Sequence, residues 1–278
     1  MFKLFFLCAF LLGNLAHAAD SSTGQRFKKV LIIVLENTDY DEALKQPFLK
    51  KAASQGALLE KMNGLTHPSQ GNYLAMIGGD SFQVKNDDPV NLRQQNLIDL
   101  LEKRGLSWKG YMENYPGNCF TGATKGRYVR KHNPFISFDN ISSDPNRCAN
   151  IQDLKAFAQD AAAGTLPNFS LLSPDLDNDG HDTGSRFASA WLEKVLADKL
   201  QDPTFMKDLL VVITFDESRA RNNNHIYTVL LGDSVKPGAS NRQTLTHASI
   251  LKTIEVEFNL GSLGRLDATS PAIEGIWR

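Results

Sequence analysis

The chain has 278 residues, 42% of them apolar and 22% charged, with 30 basic against 31 acidic side chains and a formal net charge of −1. That length suits one large α/β domain or two small ones, and the ordinary globular composition contains neither internal repeats nor a low-complexity segment. So balanced a charge excludes the polybasic surface that would bind nucleic acid or steer the chain onto an anionic membrane.

Met1 to Ala18 carry Lys3, the apolar stretch Leu4 to Leu12, and Ala16-His17-Ala18. This is the pattern of a secretory signal peptide with an A-x-A cleavage site, too short and wrongly flanked for a membrane span. The mature chain is expected to begin near Ala19 and to be exported, to a periplasm or to the medium, as one domain over residues 19–278. Its formal charge is −2, one positive charge leaving with Lys3. No later run approaches the roughly 20 apolar residues that a spanning helix needs. Cys8 also leaves with the signal, so Cys119 and Cys148 remain. In an oxidising compartment a disulfide between them is favoured over two buried thiols.

Val30 to Leu35 is a continuous aliphatic run that reads as a parallel strand buried on both faces, ending in Glu36-Asn37. Helices are predicted over Tyr40 to Ala53, Asn72 to Ile77 and Leu92 to Lys103. Gly105 to Asn150 is rich in Gly, Pro, Asn and aromatics and holds both mature cysteines; it reads as a loop-dominated excursion covering the site. Further helices are expected over Ile151 to Ala162, Ser185 to Leu200 and Ala248 to Phe258. Further strands are expected at Phe169 to Leu172, Leu209 to Phe215 and Ile226 to Leu231. Alternating strands and helices predict an α/β fold with a mostly parallel central sheet and helices on both faces. Ligands collect beyond the carboxyl ends of such strands, where three of the four runs lead into acids.

Asp175, Asp177, Asp179, His181 and Asp182 crowd one such loop. Acids that close repel one another unless a positive charge is shared among them, and a bound cation is the usual answer. An EF-hand is ruled out, because Arg186 stands where its bidentate Glu is required and Pro174 replaces the entering helix. Asp177 and His181, four apart around Gly180, retain a spacing that can fold about a metal or a phosphoryl group. A solvated, Gly-bent acidic turn is the plainer alternative.

Thr66-His67-Pro68-Ser69 precedes the short helix. A hydroxyl there can attack phosphorus while the amides of Ser69 and Gln70 hold non-bridging oxygens. Serine is also a common N-cap, and the local sequence leaves both roles open. His67 reads as structural, part of the turn that Pro68 fixes.

Several strings in order resemble the phosphoesterase family of acid phosphatases and phosphocholine-type phospholipases C, within the alkaline phosphatase-like superfamily. They are Glu36-Asn37-Thr38-Asp39-Tyr40, His67-Pro68-Ser69 with Asn72-Tyr73-Leu74, and Lys131-His132-Asn133-Pro134-Phe135. Thr214-Phe215-Asp216-Glu217, Val235-Lys236-Pro237-Gly238, His247 through Glu255, and Ser270-Pro271 near Ile276-Trp277 follow. The resemblance runs from about Lys29 to Trp277, nearly the whole mature chain.

It implies metal-assisted phosphoryl transfer, with Glu36, Asn37, Asp216 and Glu217 as metal ligands and Ser69 as the nucleophile. A serine hydroxyl is a poor nucleophile until coordination or a base removes its proton. All-oxygen donors favour Mg²⁺, Mn²⁺ or Ca²⁺, with Zn²⁺ possible. Asp177-x-x-Gly180-His181 is similar to the second metal site of related nucleotide pyrophosphatases, but Glu217 stands where those enzymes carry a His. One metal is therefore expected, with Asp177 at a second site or in the phosphate shell. His181 and His247 would hold phosphoryl oxygens or protonate the leaving group. His132 is a candidate phosphate ligand or general acid, or else a loop histidine tied to backbone.

The implied function is a phosphomonoesterase of acid-phosphatase type working through a phosphoserine intermediate. Its substrate is a small phosphate ester or a phosphorylated lipid head group. The alternatives are a phospholipase C-type phosphodiesterase, or a non-catalytic, metal-stabilised binding protein.

Overall fold

The structure is a computed structural model that describes residues 24–219 and 224–278. The expected signal peptide lies outside the described residues. Eight strands form the main sheet: β1 Lys29–Leu35, β2 Ala57–Leu59, β3 Trp108–Met112, β4 Ile151–Gln152, β5 Phe169–Ser173, β6 Leu209–Phe215, β7 Thr228–Leu231 and β8 Ala239–Asn241. Their order across the sheet is β8-β2-β7-β6-β1-β5-β3-β4. The half from β6 to β4 is parallel throughout, while β7 runs antiparallel to both β6 and β2. The α/β fold with a mostly parallel sheet is as the sequence predicts, in one domain.

The centre of the sheet explains its own sequence. All seven residues of β6 are buried, as are the six from Val30 to Leu35 in β1. Covering each aliphatic side chain contributes about 1.5–3 kcal/mol, so these two strands anchor the core. Parallel pairing then sends the ends of β1, β5, β6 and β3 to one edge, where residues with no ladder partner become loops.

Among the helices are α1 Tyr40–Ala43, α2 Pro47–Gln55, α3 Gln70–Gly78, α4 Leu97–Lys103, α5 Leu154–Ala163, α6 Ser185–Leu196 and α7 His247–Glu257. They pack in pairs, α2 on α6 and α3 on α7. The predicted helix from Tyr40 to Ala53 is two helices, because Pro47 has no N–H to continue the first and is well suited to start the second. The one predicted from Leu92 begins at Leu97. Asn96 caps it by accepting from the Ile98 N–H, and Asp99 completes a capping box. Ile151 and Gln152 pair with β3, and α5 starts after Asp153, whose side chain accepts from Lys155. The helix predicted to reach Leu200 stops at Leu196.

The largest departure lies in the segment from Gly105 to Asn150. It is loop-rich beyond Asn114, but Trp108–Met112 is a full strand of the main sheet. Lys109 and Gly110 hide the strand in the sequence. Lys109 Nζ pairs with Asp160 at 2.6 Å, beside a hydrogen bond from the Tyr111 hydroxyl to the same carboxylate. Gly110 lies against the Phe135 ring, where a Cβ would come within 2.7 Å. The excursion is closed by the expected disulfide between Cys119 and Cys148, 29 residues apart. In a chain-entropy account a loop of that length is worth about 3–4 kcal/mol.

Away from the acidic edge, two buried carboxyls meet where α7 faces the turn at Ser262–Asp267. Asp267 accepts from the Ser262 hydroxyl and from the N–H groups of Leu263 and Arg265. Burial pushes it up, but those donors prevail and hold it below the usual carboxylate range. Glu255 is buried as well. Burial and then the Asp267 charge push its carboxyl up to about 8, so it stays protonated beside an ionised partner. The unfolded chain releases this proton near the ordinary Glu value of 4.5. Above that value the unfolded state binds fewer protons than the folded state, and stability falls as pH rises toward the folded value. Glu255→Gln, which keeps a donor toward Asp267, should therefore remove this slope. Its thermal midpoint relative to wild type is expected to rise between pH 5 and pH 8.5, as read by calorimetry. A constant offset across that range would show that Glu255 is not held protonated.

Candidate active site

The acids of the sheet edge are brought together by strand register. Leu35 pairs with Phe215, the Asp216 N–H donates to the Leu35 carbonyl at 2.9 Å, and Thr38 N–H donates to Glu217 O at 3.2 Å. The turn after β5 is tied to the same place by the Glu36 N–H, which donates to the Asp179 carbonyl at 3.0 Å. Gly180 makes that turn possible. Its φ is +96°, and a Cβ would meet Ala188 at 3.2 Å.

Ser69 sits at the start of α3 with helical φ and ψ, and its side chain makes no capping hydrogen bond. The hydroxyl donates to Glu36 Oε2 at 2.9 Å, with Glu217 Oε1 at 3.4 Å. It is 2% exposed. Of the two roles open to a serine here, the cap is not the one it fills. The Gln70 N–H is also diverted: it donates to Asp87 Oδ1 at 3.1 Å, while Asp87 Oδ2 pairs with Lys131 Nζ at 2.9 Å. A carboxylate thus occupies the amide that the sequence reading reserved for a phosphoryl oxygen.

Glu36 is the centre of the cluster. Its Oε1 accepts from the Tyr73 hydroxyl at 2.7 Å and lies 3.2 Å from His132 Nε2; His132 Nδ1 lies 3.2 Å from Asp179 Oδ2. Burial would raise the Glu36 carboxyl, but His132, then Lys131 and Tyr73, outweigh it and hold it well below its ordinary value. Burial would likewise neutralise His132, yet Glu36 and Asp179 keep it charged with its pKa raised. Asp216 is pushed well up by burial and then by the charges of Glu36 and Glu217. Glu217 is raised by burial and by Glu36, although Asn37 and Ser69 donate to it. Asp179 is likewise raised, chiefly by burial, so the interior holds one firmly ionised carboxylate and three reluctant ones.

This imbalance fits a cation. Asn37 Oδ1 and Asp216 Oδ2 are buried without a hydrogen-bond partner. Asn37 has φ +35°, a left-handed turn that Asn tolerates, and it donates through Nδ2 to Glu217 Oε1 at 2.7 Å and through its backbone to Asp216 Oδ1 at 3.2 Å. The donors Glu36, Asn37, Asp216 and Glu217 are all oxygens, as hard divalent ions prefer. Among the described residues no three His, Cys, Asp or Glu side chains are already gathered as a ready-made ion site. His132 and His67 hold Glu36 and Glu217 instead, and a cation would have to displace part of those contacts.

The remaining candidates divide. His132 enters the cluster directly. His181 is exposed at its rim, its ring centroid 6.3 Å from that of His132 and its Nδ1 2.7 Å from Asp182 Oδ1. His247 begins α7 fully buried, with Nε2 2.7 Å from the Asp216 carbonyl oxygen. Burial lowers its pKa to about 4, so it positions the Asp216 backbone as a neutral ring rather than carrying a proton. Asp177 is not brought to the group. Its carboxylate pairs with Arg127 at 2.6 Å, because Gly180 turns the chain so that Asp179 points inward in its place. Sequence reasoning gave no site role to Tyr73 or Asp87 and named Asp179 only as one acid of the crowded loop. It also undervalued His67, whose Nδ1 lies 2.5 Å from Glu217 Oε2. Tyr73 carried a readable signal, four residues after Ser69 and hence on the same helix face.

Comparison with known proteins places the chain in a family and a fold. The model of the Phosphoesterase family matches residues 40–261. A probable acid phosphatase of Kluyveromyces lactis is 38% identical over 94% of this chain and 65% of its own length. The acid phosphatase of Aspergillus fumigatus is 34% identical over 90% and 59%, so the chain spans about three fifths of these fungal relatives. A phosphatidylinositol-3-phosphatase of Mycobacterium tuberculosis is 33% identical over 90% of this chain and 83% of its own. Among solved structures, an alkaline phosphatase superfamily protein from Vibrio parahaemolyticus shares the fold at TM-score 0.59 and 12% identity, covering 89% of this chain and 71% of that one. With the family model matched along most of its length, the chain belongs to the Phosphoesterase family.

Proposed function

We propose that this protein is an exported, metal-dependent phosphomonoesterase that uses Ser69 as its nucleophile. The observation that carries the reading is the Ser69 hydroxyl itself, which leaves the helix cap unmade and turns into a cluster of buried carboxylates. Phosphatases among the relatives favour a monoester over a diester. The non-specific phospholipase C1 of Arabidopsis thaliana is 27% identical over only 52% of this chain. The pattern of Met1 to Ala18 supports export.

A divalent cation held by Glu36, Asn37, Asp216 and Glu217 would offset the charge of the phosphoryl oxygens and lower the serine pKa. The chain's own groups account for the rest. As Oγ bonds to phosphorus, the Ser69 proton passes to a carboxylate that its hydroxyl already touches, Glu36 at 2.9 Å or Glu217 at 3.4 Å. The ester P–O bond breaks, and His181 at the exposed rim protonates the departing oxygen. Water then attacks the phosphoserine and gives a proton to His181, the Oγ–P bond breaks, phosphate leaves, and the carboxylate returns its proton to Ser69. His132 stays charged between Glu36 and Asp179, fixing the carboxylate to which Ser69 hydrogen-bonds. Lys131, held by Asp87, adds positive charge on the same side.

Ser69→Ala should lower kcat for p-nitrophenyl phosphate by about 10³-fold or more while leaving the thermal midpoint close to wild type. Turnover at the wild-type rate by the folded variant would remove Ser69 from the mechanism. Chelation should abolish activity, and restoring Mg²⁺, Mn²⁺, Ca²⁺ or Zn²⁺ one at a time should identify the ion. A chelated enzyme, shown free of metal by elemental analysis, that retains full activity would refute metal dependence. The inward turn of Asp179 predicts a contrast with its neighbour. Asp179→Asn should lower kcat/KM about 10–100-fold by loosening His132, whereas Asp177→Asn should stay within about threefold. The reverse order would mean that Asp177, not Asp179, belongs to the site.

A further inference from the structure

A cavity of about 250 Å³ adjoins the acidic cluster and shares Asn37 with it. Its wall is built by the segments that follow three central strands: Asn37 and Asp39 with Glu42 of α1 after β1, Gly184 with Arg186 in the first turn of α6 after β5, and Arg219 after β6. Its charges are unevenly committed. Glu42 faces Lys45 at 3.1 Å and Gln46 Nε2 at 3.0 Å, and Asp39 is also engaged. Arg186 and Arg219 make no ion pair with any described residue, and both are exposed. Guanidinium groups remain charged at any working pH and match phosphate oxygens in a planar, two-pronged way. An unpaired arginine on a convex surface is ordinary. Two of them in one concavity that shares Asn37 with the acidic cluster are a binding arrangement. The volume is just below that of a drug-sized pocket and suits one anionic group with part of its alcohol.

We propose that this cavity is a second anion subsite. It would select phosphate monoesters whose alcohol carries another phosphate or a phosphodiester, held by Arg186 and Arg219 while the scissile group lies at Ser69. The inference rests on the phosphomonoesterase reading above and adds the substrate class. His181 lies in the loop that leads into α6, five residues before Arg186, so the rim proposed to protonate the leaving oxygen runs into the wall proposed to bind the leaving group. A soluble sugar bisphosphate and a phosphoinositide head group share this two-anion chemistry.

The test compares kcat/KM for p-nitrophenyl phosphate, fructose 1,6-bisphosphate and a soluble short-chain phosphatidylinositol 3-phosphate. Wild type, Arg186→Ala, Arg219→Ala and the two Arg→Lys variants are measured side by side. Wild type should prefer at least one two-anion ester, and which one identifies the source. Each Arg→Ala change should lower the ratio of two-anion to one-anion kcat/KM about tenfold, chiefly through KM. The lysine variants should recover part of it. The proposal is overturned if wild type cleaves p-nitrophenyl phosphate at least as well as both two-anion esters. It is equally overturned if the alanine variants slow all three alike. If wild type cleaves no ester, the phosphomonoesterase reading fails instead. Calorimetric binding of fructose 1,6-bisphosphate then decides the subsite, with binding lost in the alanine variants supporting it and unchanged binding refuting it.

Discussion

The constraint on which the rest depends is a carboxylate forced to remain ionised inside the protein. Glu36 has no exposed surface, yet two hydroxyl donors, Ser69 and Tyr73, and two positive charges, His132 at 3.2 Å and Lys131 farther off, converge on it. A buried charge without such support would shift its pKa and neutralise. The support is costly elsewhere, since ionised Glu36 pushes both Asp216 and Glu217 toward protonation. The cluster carries more acid than its histidines balance. A divalent cation would resolve that conflict, and the orphaned oxygens of Asn37 and Asp216 lie where it arises.

The sheet is what makes so unfavourable a concentration of acids tolerable. β1 and β6 bury nearly every side chain along their length, and their register leaves no freedom in where Glu36 and Asp216 emerge. The hydrophobic stabilisation of those strands offsets the repulsion at their ends. This is the common trade at a functional site, in which local strain persists because the surrounding structure over-determines it. α3 is fixed in the same way from the other side. Every residue from Gln70 to Gly78 is buried, so Ser69 is presented by a helix with little room to move.

What could be read from the sequence follows from which signals are local. Val30 to Leu35 and Leu209 to Phe215 announce buried parallel strands by composition alone, and Glu36-Asn37 and Asp216-Glu217 follow from them by position. Trp108–Met112 could not be read that way. Its Lys109 answers to Asp160 and its Gly110 to Phe135, partners 51 and 25 residues distant, the first spacing being that of a tertiary contact and the second that of a packing ring. The choice between Asp177 and Asp179 was hidden for a related reason. Both occupy the same acidic string, and only the φ of Gly180 and the backbone bond from Glu36 decide which one points inward. The roles of Ser69 were open locally because a cap and a nucleophile occupy the same position, and the distinction lies in where the side chain turns.

The distribution of histidines shows how one cluster can separate binding from proton transfer. His132 and His247 are both fully enclosed, but one faces carboxylates and is charged while the other faces a carbonyl and is neutral. Neither state changes easily near neutral pH, which suits them to holding other groups in place. His181 has solvent on one side and a carboxylate partner on the other. In the proposed mechanism that rim position is what brings it to the leaving oxygen, and the released alcohol would depart past Arg186 and Arg219.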